Sequence, residues 1–372
     1  MHQPLSTDPN DFCFIDTETR SSVNVKDGGA YQHNANGRVI ICTYAIGDAD
    51  VQEWVLEDWT PGRKLDWRNA PRDLAEFLAR VEAGSAWFVA WNAAFDRLSL
   101  SRGMLNKTMR VEWFIDAMAQ AVKSHLPPDL MGACLAARVA VKKQASGKAL
   151  IKLFCDEAGD ATPQSHPEEW MQFRSYAHDD IPSMREIFWG TMPLSRKEWE
   201  EYWANERIND RGMPVDVPFV KAAAELAEFS AERANEQVFQ ITKGHIDSVN
   251  KTAAILAWVQ HKLRMLPEVN RILLREVVEE PMPEGEDVRR VEKHSLDRGR
   301  VEELIAYLER VDTEQGLTDD EHDALQLLEV RLYGASATPK KFGKMVPMID
   351  DGRIKGQYVF NGASATGRFS SR

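Results

Sequence analysis

A chain of 372 residues with 43% hydrophobic content is long enough for two domains of ordinary globular core, and no apolar run in it reaches membrane-spanning length. Its formal charge of −12 excludes a protein that coats nucleic acid by overall electrostatics, yet leaves room for an enzyme with a local basic track. Widely spaced Cys13, Cys42, Cys134 and Cys155 form no Cys-x-x-Cys pair, and residues 1–10 lack a basic stretch leading into an apolar one, so the sequence predicts a soluble cytoplasmic protein with buried free thiols and no membrane partner.

The first predicted element is a strand over residues 12–18 that begins apolar (Phe12, Cys13, Phe14, Ile15) and ends acidic (Asp16, Thr17, Glu18). Side chains two apart on a strand share a face. Asp16 and Glu18 would therefore repel at close range and raise each other's pKa unless a cation lay between them, and a divalent metal is the simplest resolution. Residues 39–46 and 51–56 read as neighbouring strands with a turn at 47–50, and residues 73–81 as an amphipathic helix. An apolar strand at 86–91 runs into Asn92, a good helix-capping residue, which sets Asp96 in the first helical turn at the positive end of the dipole.

From about residue 110 to 190 the pattern is mainly helical, interrupted at Pro127-Pro128 and at the Gly147 and Gly159 loops. The basic loop 141–150 reads equally as a grip on a DNA backbone and as a solvated lysine loop. Near its end this stretch places Tyr176 and Asp180 four apart on one helical face, with Asp179 rotated away. A phenol beside an acid is suited to holding a water.

Asp16-Thr17-Glu18, then Asn92 with Asp96, then Tyr176 with Asp180 resemble, in that order, the DEDD-type 3′→5′ exonucleases of the tyrosine subgroup that proofread for family A DNA polymerases. The histidine subgroup would carry His five residues before the last Asp, where this chain has Ser175, so His178 is a spacer. The resemblance implies an α/β ribonuclease H-like domain over residues 1–190. It implies two divalent cations, Mg²⁺ or Mn²⁺: Asp16 bridging both, Glu18 and Asp180 completing the nucleophile-side ion, and Asp96 holding the other. Tyr176 would orient the attacking water, Asn92 would cap its helix, and Thr17, Asn92 and Phe95 would lie along the nucleic acid. Phe14 reads as core.

A break at residues 191–195 is followed by a helical pattern over 198–210 that stops at Gly212 and Pro214. The string from Ile208 to Asp216 resembles the opening of a family A polymerase domain, and helical patterns at 219–242, 251–263, 296–311 and 319–332 suit a thumb-like region, with a Glu- and Pro-rich loop at 275–289. Residues 334–372 carry seven basic and two acidic side chains. Among them Lys340, Lys341, Thr366 and Arg368, the last two in a Thr-Gly-Arg segment like that which meets DNA near the primer end, are the expected DNA contacts. Residues 191–372 would then be the front part of a polymerase domain lacking most of its palm and fingers, either as a gene fragment or as one half of a split enzyme whose partner chain carries them, and polymerisation is not expected from this chain alone. The expected partners are the single-stranded 3′ end and primer-template DNA. Two other readings stand beside proofreading: a DNA-clamping module without catalysis, and a free-standing nuclease for RNA ends.

Overall fold

The computed structural model describes residues 4–139, 147–281, 288–363 and 366–371. Strand β1 (Phe12–Ser21) is followed by α1 (Val25–Ala35), β2 (Gly37–Ile46), β3 (Gln52–Val55), α2 (Arg72–Glu82), β4 (Trp87–Ala90), α3 (Ala93–Leu98), β5 (Phe114–Asp116), α4 (Ala117–Lys123), α5 (Leu130–Ala137), α6 (Gly147–Phe154), α7 (Pro167–Gly190) and α8 (Arg196–Arg211). The five strands form one sheet in the order β3-β2-β1-β4-β5. β1 is antiparallel to β2 and parallel to β4, and β4 is parallel to β5.

The central position of β1 explains its composition. Cys13 and Ile15 enter one core with Phe88, Phe114 and Phe173, while Phe12 and Phe14 enter another with Val89, Ile181 and Phe188. A strand covered on both faces reads as a continuous apolar run. Its acidic half lies past the parallel pairing with β4, where such sheets open a crevice at strand ends. A bulge between Glu18 and Thr19 shifts the register against β2 at that point.

Contacts divide the chain into two compact units, Met1–Val215 with Pro347–Arg372, and Asp216–Val346. The break expected at residues 191–195 is a helix start inside the first unit. There Ser195 and Glu198 form a capping box, and Trp199, Tyr202 and Trp203 of α8 are buried with Phe12 and Phe14, while the Trp203 indole donates to the Phe114 carbonyl at 2.8 Å. After α8 comes the short strand β6 (Met213–Pro214).

The second unit holds α9 (Val217–Ile241), α10 (Thr252–Lys262), α11 (Val269–Leu273), β7 (Leu274–Pro281), β8 (Val288–His294), α12 (Arg298–Gln315), α13 (Asp319–Gly334) and α14 (Ala337–Met345). Val238, Ile255, Val259, Leu304, Leu308 and Leu327 build its core. Of residues 275–289, expected as a loop, 275–281 and 288–289 instead belong to the β7–β8 ribbon, in which Glu276 lies opposite Lys293 and Val278 opposite Val291, and 282–287 lie outside the described residues. Opposite charges across an antiparallel pair favour pairing that composition alone does not reveal. Phe219, Leu226 and Phe229 of α9 are exposed.

The chain then re-enters the first unit through β9 (Ile349–Asp350), β10 (Arg353–Ile354), β11 (Tyr358–Ala363) and β12 (Arg368–Ser371). β10 pairs with both β9 and β6, and β11 pairs with β12. Among the described residues no helix is long and apolar enough to cross a membrane. Cys13, Cys42 and Cys134 are buried free thiols, and Cys155 is a half-buried one.

Candidate active site

Asp16 and Glu18 are both half-buried on β1, alternating with buried Thr17. Asp96 on α3 is buried, and one of its carboxylate oxygens accepts both the Thr17 backbone N–H at 2.9 Å and the Thr17 hydroxyl at 2.7 Å. Thr17, expected along the nucleic acid, thus has its hydroxyl engaged in holding Asp96. Burial first, and then the charge of Asp16, push the Asp96 carboxyl well above the usual carboxylate range against those two hydrogen bonds. A third element, α7, brings Asp180, half-buried, and Tyr176, buried. Burial raises the Tyr176 phenol above its ordinary value, and Asp180, Glu18 and Asp16 raise it further. These side chains come from three separate stretches and act on one another electrostatically.

A cleft of about 400 Å³ opens on the set, lined by Asp16, Trp91, Asn92, Asp129, Asp180 and Met184. Among the described residues no three His, Cys, Asp or Glu side chains close on a metal ion as they stand. The chemistry of the set nonetheless fits a hard divalent cation, because carboxylate oxygens are its preferred ligands and a buried acid beside a second acid is relieved by one. His178 faces away, its Nε2 lying 3.3 Å from Glu53 on β3.

Asn92 stands at the N-cap position of α3, but its side chain makes no capping hydrogen bond. The residue adopts a left-handed conformation (φ 63°, ψ 55°), and its backbone N–H donates to Asp116 at 3.1 Å. Asparagine serves caps and left-handed turns alike, and here the tight exit from β4 takes the second use. Phe95 is half-buried, with its ring 5.6 Å from that of His33, and Phe14 is fully buried as expected.

Sequence reasoning missed β5, whose end residue Asp116 organises the ground beneath the site. Its carboxylate also accepts the Met118 N–H at 3.0 Å as the cap of α4, and the Tyr202 hydroxyl at 3.1 Å. Burial pushes this carboxyl from 3.8 up to about 6 despite those hydrogen bonds. A raised native pKa means that the folded state holds the proton more tightly, so the contribution to stability is full below about pH 4 and is lost as pH rises through about 6. Asp116→Asn is expected to flatten that dependence. In urea unfolding, the variant should lose less stability than the parent between pH 4 and pH 7, by about 2 kcal/mol. Parallel pH profiles would contradict this account.

The expected DNA contacts belong to different units. Lys340 and Lys341 are exposed on α14 of the second unit, where Lys340 Nζ donates to Asn250 at 2.8 Å. Thr366 and Arg368 are exposed on the β11–β12 hairpin of the first unit. In the basic loop, positions 141–146, with Lys142 and Lys143, lie outside the described residues.

The class of protein this chain is similar to is DNA polymerase, which bears out the family A resemblance drawn from its sequence. The particular relative is the DNA polymerase of Bacillus phage SP02, 25% identical over 372 aligned residues that cover 96% of this chain and 49% of that protein. A solved structure, the POL domain of Pol1 from M. smegmatis in complex with DNA primer-template and dNTP, matches 96% of this chain and 51% of its own, with a TM-score of 0.39 and 13% identity. The chain spans about half the length of both. No protein-family model matches it.

Proposed function

We propose that this chain carries a divalent-metal-dependent 3′→5′ exonuclease that trims the 3′ end of DNA, as the proofreading part of a family A DNA polymerase in the cytoplasm of a bacterial or phage-infected cell. Residues 1–190 are its ribonuclease H-like exonuclease domain, and residues 191–372 belong to the polymerase domain. The observation that carries this reading is the convergence of β1, α3 and α7: Asp96 accepts two hydrogen bonds from Thr17, which stands between Asp16 and Glu18, and Asp16 and Asp180 line one cleft. The strand order β3-β2-β1-β4-β5, with acids at the ends of parallel strands, supports the fold assignment. Similarity to a phage DNA polymerase supports DNA as the substrate and primer-template DNA as the partner.

Asp16, Glu18, Asp96 and Asp180 would hold two cations, Mg²⁺ or Mn²⁺. When bound, these would supply acidification of the attacking water and stabilisation of charge on the leaving 3′ oxygen. Thr17 orients Asp96 through two hydrogen bonds. Tyr176, its pKa raised by burial and by three acids, stays protonated across the working range and so positions a water as a hydroxyl instead of deprotonating it.

Tyr176→Phe is expected to slow cleavage roughly 10-fold, equivalent to about 1.4 kcal/mol of barrier, with metal binding unchanged. The deciding assay is digestion of 5′-labelled single-stranded DNA with Mg²⁺ or Mn²⁺ against an EDTA control. A ladder shortening from the 3′ end supports the proposal. Retention of DNA without cleavage would replace it with a clamping module, and preferential shortening of an RNA oligomer would replace it with an RNA-end nuclease.

A further inference from the structure

We propose that Gly147, the first residue of α6, is a positioning residue for Tyr176: only a side chain without Cβ lets the phenol ring lie where it meets the acids of β1 and α7. The inference rests on the exonuclease reading above. A Cβ built on Gly147 would stand 2.4 Å from Cε2 of Tyr176 and 2.9 Å from both Cδ2 and Cζ, the carbon that bears the hydroxyl. Carbon atoms that are not bonded do not approach so closely, so something must move.

Packing decides which partner yields. α6 is clamped at its far end, where Phe154 is fully buried, stacked on Phe173 (5.5 Å, 19°) and set edge-on to Trp170 (5.1 Å, 71°). The buried Arg20 guanidinium donates to the carbonyls of Phe154 and Ala161, at 3.0 Å each, and the Ser21 N–H donates to the Cys155 carbonyl at 3.1 Å. Leu150, one turn along from Gly147, is buried too. With α6 tied to both β1 and α7, an added methyl group falls on the ring. Tyr176 in turn lies nearly parallel to Phe173 (6.2 Å between centroids, 9° between planes), and a rotation away from Gly147 would break that arrangement and carry the hydroxyl from the acids. Helix propensity offers no competing reason for the residue, since alanine is the better helix former.

The test places Gly147→Ala beside Gly190→Ala, where a Cβ meets nothing within 4 Å, with the parent and Asp16→Ala alongside. Shortening of 5′-labelled single-stranded DNA is timed with Mn²⁺, and the Mn²⁺ concentration for half-maximal rate is read from the same series. Gly147→Ala should be about 10-fold slower, with that half-maximal concentration and the KM for DNA unchanged, while Gly190→Ala matches the parent. In a Tyr176→Phe background Gly147→Ala should slow cleavage no further. A parental rate for folded Gly147→Ala, or an equal loss in both backgrounds, would overturn the proposal. If Gly147→Ala lowers the melting temperature, the same change in a Tyr176→Ala background settles the contact: a penalty that vanishes there supports the proposal, and one that persists overturns it. Absence of a metal-dependent ladder from the parent would strike the exonuclease reading instead, and the melting comparison would still judge the contact.

Discussion

Asp16→Ala is expected to lower metal-dependent shortening of single-stranded DNA by at least about 1000-fold, equivalent to roughly 4 kcal/mol of barrier, while leaving the fold intact or slightly firmer. The charge of Asp16 raises both Asp96 and Tyr176 of the set, and the Cys42 thiol besides. Removing it takes away the carboxylate best placed to share a cation with its neighbours. It also relieves the buried Asp96 of the nearest like charge, so in metal-free buffer the variant should melt no lower than the parent. The two readouts move apart, which separates loss of chemistry from loss of structure. An undiminished ladder, or a variant that melts well below the parent without metal, would remove Asp16 from the centre of the site.

The second large effect concerns Arg97, next to Asp96 on α3. Its side chain is 5% exposed, donates to Asp210 at 2.7 Å, and lies 4.0 Å from Glu206. Tyr31 donates its hydroxyl to the same Asp210 at 2.6 Å, and Asn205 and Asn209 each donate to the other oxygen of Glu206 at 3.0 Å. One Glu206 oxygen is buried without a hydrogen-bond donor, and burial already raises this carboxyl. Arg97→Met would leave a buried acid facing no counter-charge. The expected loss is about 3–5 kcal/mol, a large share of the roughly 5–15 kcal/mol that holds a domain folded. Urea unfolding measures it directly, and Arg97→Met/Glu206→Gln should recover part of the loss. A cost below about 1 kcal/mol for Arg97→Met would show that water reaches the cluster.

What the sequence revealed follows from what is local. The acids of β1 stood out because polar residues end an apolar run, and Tyr176 with Asp180 because four residues make one helical turn. Where two uses of one residue compete, local reading fails: Asn92 was expected as a cap, and the Asp116 carboxylate, from another strand, settles it as a left-handed turn. β5 escaped notice because three residues carry no period. The packing of α8 was hidden because nothing in the sequence says that Trp199, Tyr202 and Trp203 turn towards Phe12 and Phe14. Partners such as Arg97 and Asp210, which meet across 113 positions, have no signature in spacing at all.

The way the second unit is strung into the first has its own consequence. The chain departs just after β6 and returns through β9 to β10, and Arg353 of β10 is paired with Pro214 of β6. Departure and return therefore belong to one three-stranded sheet, and the excursion between them is a closed circuit from the standpoint of that sheet. Such a circuit can lengthen, shorten or be exchanged for another with only a slowly growing entropic cost, because the stitch that closes it belongs to the host and not to the guest. Chain connectivity thus leaves the second unit free to diverge in helix number and length, while the ladder that receives it must keep its register.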